Sequence, residues 1–336
     1  IPSKTLFFTM LLLGTVISIS SNSWPSTWMG LEINLLAFIP LMVTKDNMLS
    51  SEASMKYFII QAMASSVFFM FIIIFMMYTT TFLKSNMINQ LLITTTLMIK
   101  MGAAPFHFWF PSVMEGLSWM NCLVLMTWQK LAPMAILTYL TPNEIMTSII
   151  IIFSIIIGSI GGLNQTSTRK IMAYSSINHI GWMIMAMLCS EKLWMNYFII
   201  YSVISMTMIL LFHKLSINHF NQLNFKLNNI PLTKLTVSIN LMSLGGLPPF
   251  LGFLPKWLVI QSSLDNNNFI IPFIMVILTL ITLFYYMRLL TSSLVFINYQ
   301  TKWSYSSSTN STPIMFFSIL SSLGLLIYPL FIFQVM

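Results

Sequence analysis

Eleven predominantly apolar runs, each near the roughly 20 residues a helix needs to cross a bilayer, fill almost the whole chain. They lie near 3–21, 26–43, 54–79, 87–110, 117–140, 145–163, 170–189, 194–214, 235–261, 269–296 and 313–335. In hydrocarbon the backbone has no water to bond, so such segments must close their own hydrogen bonds, and runs of this length do so as helices. The longest connection, about 215–234, is polar and Asn-rich, and leaves no room for a soluble domain. Charged residues are 7% of the 336 and mean hydropathy is +0.85, whereas a soluble domain carries roughly a quarter charged residues. The expected fold is all-α and polytopic, one transmembrane domain over 1–336.

A net charge of +8 could suggest nucleic acid, but the lysines are scattered and the only adjacent basic pair is Arg169-Lys170. Nucleic acid is therefore not an expected partner. Cys122 and Cys189 both lie in apolar segments, which argues against a disulfide framework or a zinc site. Arg appears twice and Met 29 times, a balance that AT-rich organelle codons produce, and a start at Ile1 is compatible with it. The first apolar run reads as one more helix of the series and not as a cleavable signal.

Loop charges orient the chain. Lys4, Lys45, Lys56, Arg169, Lys170, Lys214, Lys226, Lys234 and Lys302 share the N-terminal side, with Arg288 just inside; Lys84 and Lys192 lie opposite. The positive-inside rule then places the N-terminus on the matrix or cytoplasmic face and the C-terminus across the membrane.

Lys100, Lys130 and Lys256 remain, each well inside an apolar span, together with Glu32. An ionisable group at mid-bilayer costs roughly 2.5–3.5 kcal/mol, so four unpaired ones forgo about 10–14 kcal/mol. One packing salt bridge from Glu32 neutralises one lysine and leaves two. Desolvation favours a neutral amine and a nearby carboxylate favours an ammonium, so moving the partner moves the proton. That is what a proton relay requires.

The lysines sit beside helix breakers. Lys100 is followed by Gly102-Ala103-Ala104-Pro105, Lys256 is preceded by Gly245-Gly246-Leu247-Pro248-Pro249, and Lys130 is followed by Ala132-Pro133. The fourth and ninth spans should therefore be broken helices and the fifth kinked. Broken helices at matching places in two halves point to a transport site. The lysine precedes the first break and follows the second, in spans of opposite sense. This predicts two inverted five-helix repeats, 1–140 and 145–296, and a trailing helix at 313–335.

His107, just past the first break, and His179, early in the seventh span, can titrate near neutral pH and are further relay candidates, though packing accounts for a lone histidine too. His213 and His219 read as surface, and Glu115, Glu144, Glu191 and Asp265 as solvated span ends. Lys56 can snorkel. Gly158 and Gly162 have the spacing of close helix packing. The sequons at Asn164 and Asn310 fall on the inside face and should be unmodified. The sequence has no GxGxxG after a strand, no GxxxxGK[ST], no Cys cluster and no haem-like histidine pair, so any redox chemistry belongs to other chains.

The runs LEINLLAFIP, KMGAAPFHFWFP, LMTWQKLAP, GGLNQTSTRKIMAYSSINHIGWM and LGGLPPFLGFLPKW, between residues 31 and 257, resemble the chain 2 family of NADH–ubiquinone oxidoreductase. These are antiporter-like, mitochondrially encoded subunits of respiratory complex I, and the Met-rich, Arg-poor balance resembles insect versions. The resemblance implies a glutamate, here Glu32, paired with a lysine on a broken helix, here Lys100. It implies a central lysine at Lys130 and an exit-side lysine at Lys256. It also implies eleven helices where the wider group has fourteen. NADH, FMN, iron–sulfur clusters and ubiquinone are expected in other subunits, with no cofactor or metal in this chain. Expected partners are other membrane-arm subunits, further antiporter-like chains among them, and membrane lipid, with cardiolipin a candidate. The expected location is the mitochondrial inner membrane, N-terminus in the matrix and C-terminus in the intermembrane space. The alternatives are a stand-alone cation/proton antiporter, which would work alone without NADH, and a non-pumping scaffold.

Overall fold

A computed structural model describes residues 2–44, 47–80, 86–140, 144–227 and 231–295. Lys45, Lys84, Lys302, Asn310 and the expected helix 313–335 lie outside the described residues. The described residues form fourteen α-helices and no strand, only a single bridge between Ser167 and His219. The chain divides into two compact units, Ile1–Ser154 and Ile155–Met336.

In the first unit α1 (Pro2–Ser20), α2 (Trp24–Met42) and α3 (Met48–Thr80) match the first three expected spans. At 33 residues α3 is about 50 Å long, so it outreaches a hydrocarbon core of about 30 Å. Its early turns carry an exposed Lys56–Glu52 ion pair of 2.6 Å, so the Lys56 amine meets a carboxylate one turn back. The fourth span is broken into α4 (Asn86–Met101) and α5 (Trp109–Gly116). The fifth is α6 (Trp119–Met126) and α7 (Trp128–Tyr139), interrupted at Thr127 and not at Pro133. Pro133 leaves the Gln129 carbonyl without its helical donor, and the irregular turn falls upstream, where the Thr127 hydroxyl donates to the Leu123 carbonyl at 2.7 Å.

α8 (Glu144–Gly161) runs through the division. The second unit continues with α9 (Thr168–Cys189), α10 (Glu191–Lys214), α11 (Phe220–Leu227), α12 (Pro231–Gly245), α13 (Phe253–Asp265) and α14 (Ile270–Val295). Ser190 caps α10 by accepting from the Leu193 N–H. α11 is a short helix inside the segment expected to be a polar loop; its eight residues are too few to show a periodicity in the sequence. α12 and α13 are the second expected broken span. Seven described helical stretches are long and apolar enough to cross a membrane. The other three expected crossings are the two broken spans and α2, whose Glu32 and Asn34 dilute its apolar character.

Close approaches rest on glycine. A Cβ on Gly30 would lie 2.6 Å from the Ser18 amide, so α1 and α2 touch backbone to backbone. Gly158 meets α9 at Asn178, and Gly162 meets the Tyr285 ring of α14. Gly30→Ala should push α1 off α2 at a cost of about 1–3 kcal/mol. A lower thermal-inactivation midpoint of the detergent-solubilised protein would show it; an unchanged midpoint would contradict this packing.

Candidate functional site

The two broken spans end in the same way. α4 stops at Met101, and Gly102 turns it at φ +74°, where a side chain would be strained. Gly102 N–H donates to the Ile99 carbonyl at 3.1 Å and Ala103 N–H to the Met98 carbonyl at 3.0 Å, the bond pair of a Schellman close. α12 repeats it. Gly246 sits at φ +79°, its N–H donates to the Ser243 carbonyl at 3.0 Å, and Leu247 N–H donates to the Met242 carbonyl at 3.3 Å. Each turn then runs into proline, Ala104–Pro105 (a cis peptide) in one and Leu247-Pro248-Pro249 in the other.

A helix end buried in an apolar medium leaves carbonyls that side chains must satisfy. At the first break the Gln61 amide donates to the Lys100 carbonyl and the Trp109 indole to the Ile99 carbonyl, both at 3.2 Å. At the second, the Lys256 ammonium reaches back from α13 to the Gly245 carbonyl at 2.9 Å. A cation suits the negative end of a helix. Gly246 leaves it space, since a Cβ there would stand 2.8 Å from Nζ.

Lys100, Lys130 and Lys256 are all buried, Lys130 at 1% exposure. Each ammonium faces an aromatic ring: Lys100 lies 5.6 Å from the Phe68 centroid, Lys130 5.4 Å from Phe110 and Lys256 5.9 Å from Trp182. Glu32, half-buried on α2, is the charged side chain whose field reaches Lys100. The two are not in ion-pair contact, and the buried Glu32 Oε2 makes no hydrogen bond among the described residues.

Four uncharged residues that sequence reasoning passed over lie beside Lys100. The Gln129 amide donates to Asn34 Oδ1 at 2.9 Å, and the Tyr57 hydroxyl approaches Gln129 Oε1 at 3.4 Å. With Gln61 and Lys100 they line a cavity of about 20 Å³, room for one water. This polar seam leads from Lys100 to Gln129, the residue beside Lys130. Asn34 shares a run with Glu32 and Gln129 adjoins Lys130, which is the signal that could have found them. Tyr57 and Gln61, lone polar residues on α3, gave none.

The structure places Glu32, Lys100, Lys130 and His107 in the first unit, and Lys256 and His179 in the second. His107 lies in the first break with Nδ1 3.1 Å from the Pro105 carbonyl. A carbonyl only accepts, so Nδ1 carries the hydrogen and Nε2 is left to exchange a proton. His179 on α9 shares a 2.9 Å bond with the Tyr197 hydroxyl of α10.

Buried lysines at two like helix breaks define an antiporter-like membrane subunit, and the comparisons agree. Residues 21–282 match the transmembrane family described as NADH:quinone oxidoreductase/Mrp antiporter, to which the chain belongs. Within that class it belongs to the NADH–ubiquinone oxidoreductase chain 2 family. It is 54% identical over 336 residues to that protein of Aedes aegypti, across 98% of this chain and 97% of the relative. The Anopheles gambiae protein is 52% identical, across 92% of this chain and 91% of the relative. In fold the chain resembles a subunit of respiratory complex I from Thermus thermophilus, with TM-score 0.85, 22% identity, and coverage of 97% of this chain and 79% of that one. It also resembles one of the Mrp complex from a Dietzia species, with TM-score 0.79, 14% identity, and coverage of 95% and 74%.

Gly246→Ala should strain the turn by about 1–2 kcal/mol and displace the Lys256 ammonium. Gly245→Ala, whose added Cβ would meet its nearest neighbours at 3.7 Å, should leave the break intact. Proton translocation and thermal stability of the assembled enzyme, measured on both variants, should fall for the first alone.

Proposed function

We propose that this chain, a multi-pass inner-membrane subunit of NADH:ubiquinone oxidoreductase, carries protons through Glu32, Lys100, Lys130 and Lys256. NADH oxidation in partner subunits drives the transfer. The carrying observation is that Lys100 and Lys256 are buried at like helix breaks, each facing an aromatic ring and Lys256 also a backbone carbonyl, with no carboxylate in ion-pair contact among the described residues. A lysine kept only for structure would gain most from such a contact, because breaking or omitting a buried pair leaves charge uncompensated. Held this way, each amine can gain or lose a proton without dismantling a salt bridge.

In this reading Glu32 and Lys100 gate uptake. A shift of the carboxylate toward or away from Lys100 changes the work of holding the ammonium, since interaction in a poorly polarisable medium rises steeply as charges approach. The Asn34–Gln129–Tyr57 seam and the one-water cavity carry the proton on toward Lys130. Lys256 then delivers it to the intermembrane space, with His107 and His179 as auxiliary exchange groups. The like breaks, Gly102-Ala103-Ala104-Pro105-Phe106 and Gly246-Leu247-Pro248-Pro249-Phe250, support the reading of two inverted repeats over 1–140 and 145–296. The N-terminus faces the matrix on the basis of the loop lysines, and anionic lipid such as cardiolipin suits the same charged side.

Lys130→Met or Lys100→Met should allow assembly and lower proton translocation per enzyme by at least about 100-fold, the scale of losing one proton-transfer group. Proton uptake by sealed inner-membrane vesicles fed NADH measures it. Pumping at the wild-type rate by either assembled variant would refute the relay.

A further inference from the structure

Four of the eleven tyrosines of this chain meet at one place in the second unit. Tyr197 and Tyr201 come from α10, Tyr285 and Tyr286 from α14, and all four are at most 2% exposed. The Tyr197 hydroxyl holds His179 Nδ1 at 2.9 Å, and the Tyr201 ring lies 4.9 Å from the imidazole, centroid to centroid. Tyr201 neighbours Ser176, and Tyr286 neighbours both Ser175 and Tyr285; the two serine hydroxyls donate to the Met172 and Ala173 carbonyls of their own helix at 2.7 Å. The Tyr285 and Tyr286 rings pack edge to face at 4.6 Å.

Packing alone does not ask for these hydroxyls. The chain uses 27 phenylalanines elsewhere for aromatic bulk, and a buried hydroxyl is a cost that phenylalanine avoids. Moreover, the buried hydroxyls of Tyr285 and Tyr286 make no short, well-aligned bond. Their bonding capacity is held in reserve and not spent on locking helices together.

The place of the cluster is informative. On α9, Ser175 and Ser176 lie between His179 and Thr168, whose neighbours Arg169 and Lys170 mark the positive end of the unit. At 1.5 Å per residue His179 stands about 16 Å along the helix from Thr168, and the serines cover the part of that interval nearer His179. On α14, Tyr285 and Tyr286 stand one turn before Arg288, whose guanidinium donates to the Gln165 carbonyl at that same end. In the other direction, Trp182, one turn beyond His179 on α9, supplies the ring that faces Lys256.

We infer that Tyr197, Tyr201, Tyr285 and Tyr286, with Ser175 and Ser176, form a hydroxyl wire between His179 and the positive end of this unit. Each hydroxyl accepts a proton on its oxygen and releases its own to the next, so one proton enters, one leaves and no group stays ionised. The wire gives the second unit its own exchange with the matrix-side water, through His179. It rests on the relay reading proposed above.

The test is Tyr197→Phe with Tyr201→Phe in the assembled enzyme, beside Lys130→Met. Phenylalanine keeps the rings and removes the hydroxyls, so a packing role leaves the assay unmoved. NADH-driven proton uptake should fall about tenfold or more, with assembly and thermal inactivation unchanged. Where that pair does not assemble, Ser175→Ala with Ser176→Ala carries the same expectation with less lost volume. Wild-type uptake in the hydroxyl variants, while Lys130→Met abolishes it, overturns the wire and leaves the relay standing. Loss in the hydroxyl variants with uptake by Lys130→Met at the wild-type rate overturns the lysine relay, and with it the wire that rests on it.

Discussion

Everything in this chain follows from one constraint: in hydrocarbon a backbone polar group must find a protein partner. Most helices meet it alone. The two broken spans cannot, because their Gly-Pro turns end the helical ladder inside the apolar region. What they need is a set of donors at fixed positions, and Gln61, Trp109 and Lys256 supply them. The polar machinery and the helix breaks are thus one design. The break creates carbonyls that demand donors, and at the second break the donor is Lys256, one of the proposed proton carriers.

The same constraint explains how charge is kept. Glu32 reaches Lys100 by its field and not by contact, and the space between helices is filled by amides, a phenol and a cavity of one-water size. Amides and phenols both donate and accept, so they can reorient as charge moves without leaving a bare ion behind. A direct ion pair would hold more tightly and would also resist the separation that transport needs. The glycines serve the same end, bringing backbones together so that few side chains are spent on filling.

Much of this was legible in the sequence. Ten of the apolar runs reappear among the described residues as single helices or as broken or kinked pairs, seven of the helical stretches being long and apolar enough to cross a membrane, because hydropathy is nearly the whole requirement for a spanning helix. Lys100, Lys130 and Lys256 were legible because a charge in an apolar run is expensive wherever it points. The uncharged participants were not. Asn34, Gln61 and Gln129 cost little enough in a helix to pass as packing, and only tertiary structure brings α2, α3, α4 and α7 to one seam. The tyrosines were hidden for the same reason, since they sit in runs rich in aromatics where a phenol reads like a phenylalanine. The Thr127 interruption was misplaced to Pro133 because proline fixes where a donor is missing, not where the helix relaxes.

The two breaks, alike in backbone, differ in how their lysines are used. Lys100 precedes its break, and its own carbonyl is one of the groups to be satisfied, so a neighbouring helix must provide Gln61. Lys256 follows its break and caps Gly245 itself. An amine that has lost its proton still carries two N–H groups, so it still donates to that carbonyl. The second break therefore keeps its backbone satisfied in either protonation state of Lys256, whereas at the first the structural cap and the titrating group are separate residues. Gain or loss of a proton at either lysine leaves the helix ends intact, and that lets rigid broken helices serve the relay proposed for them.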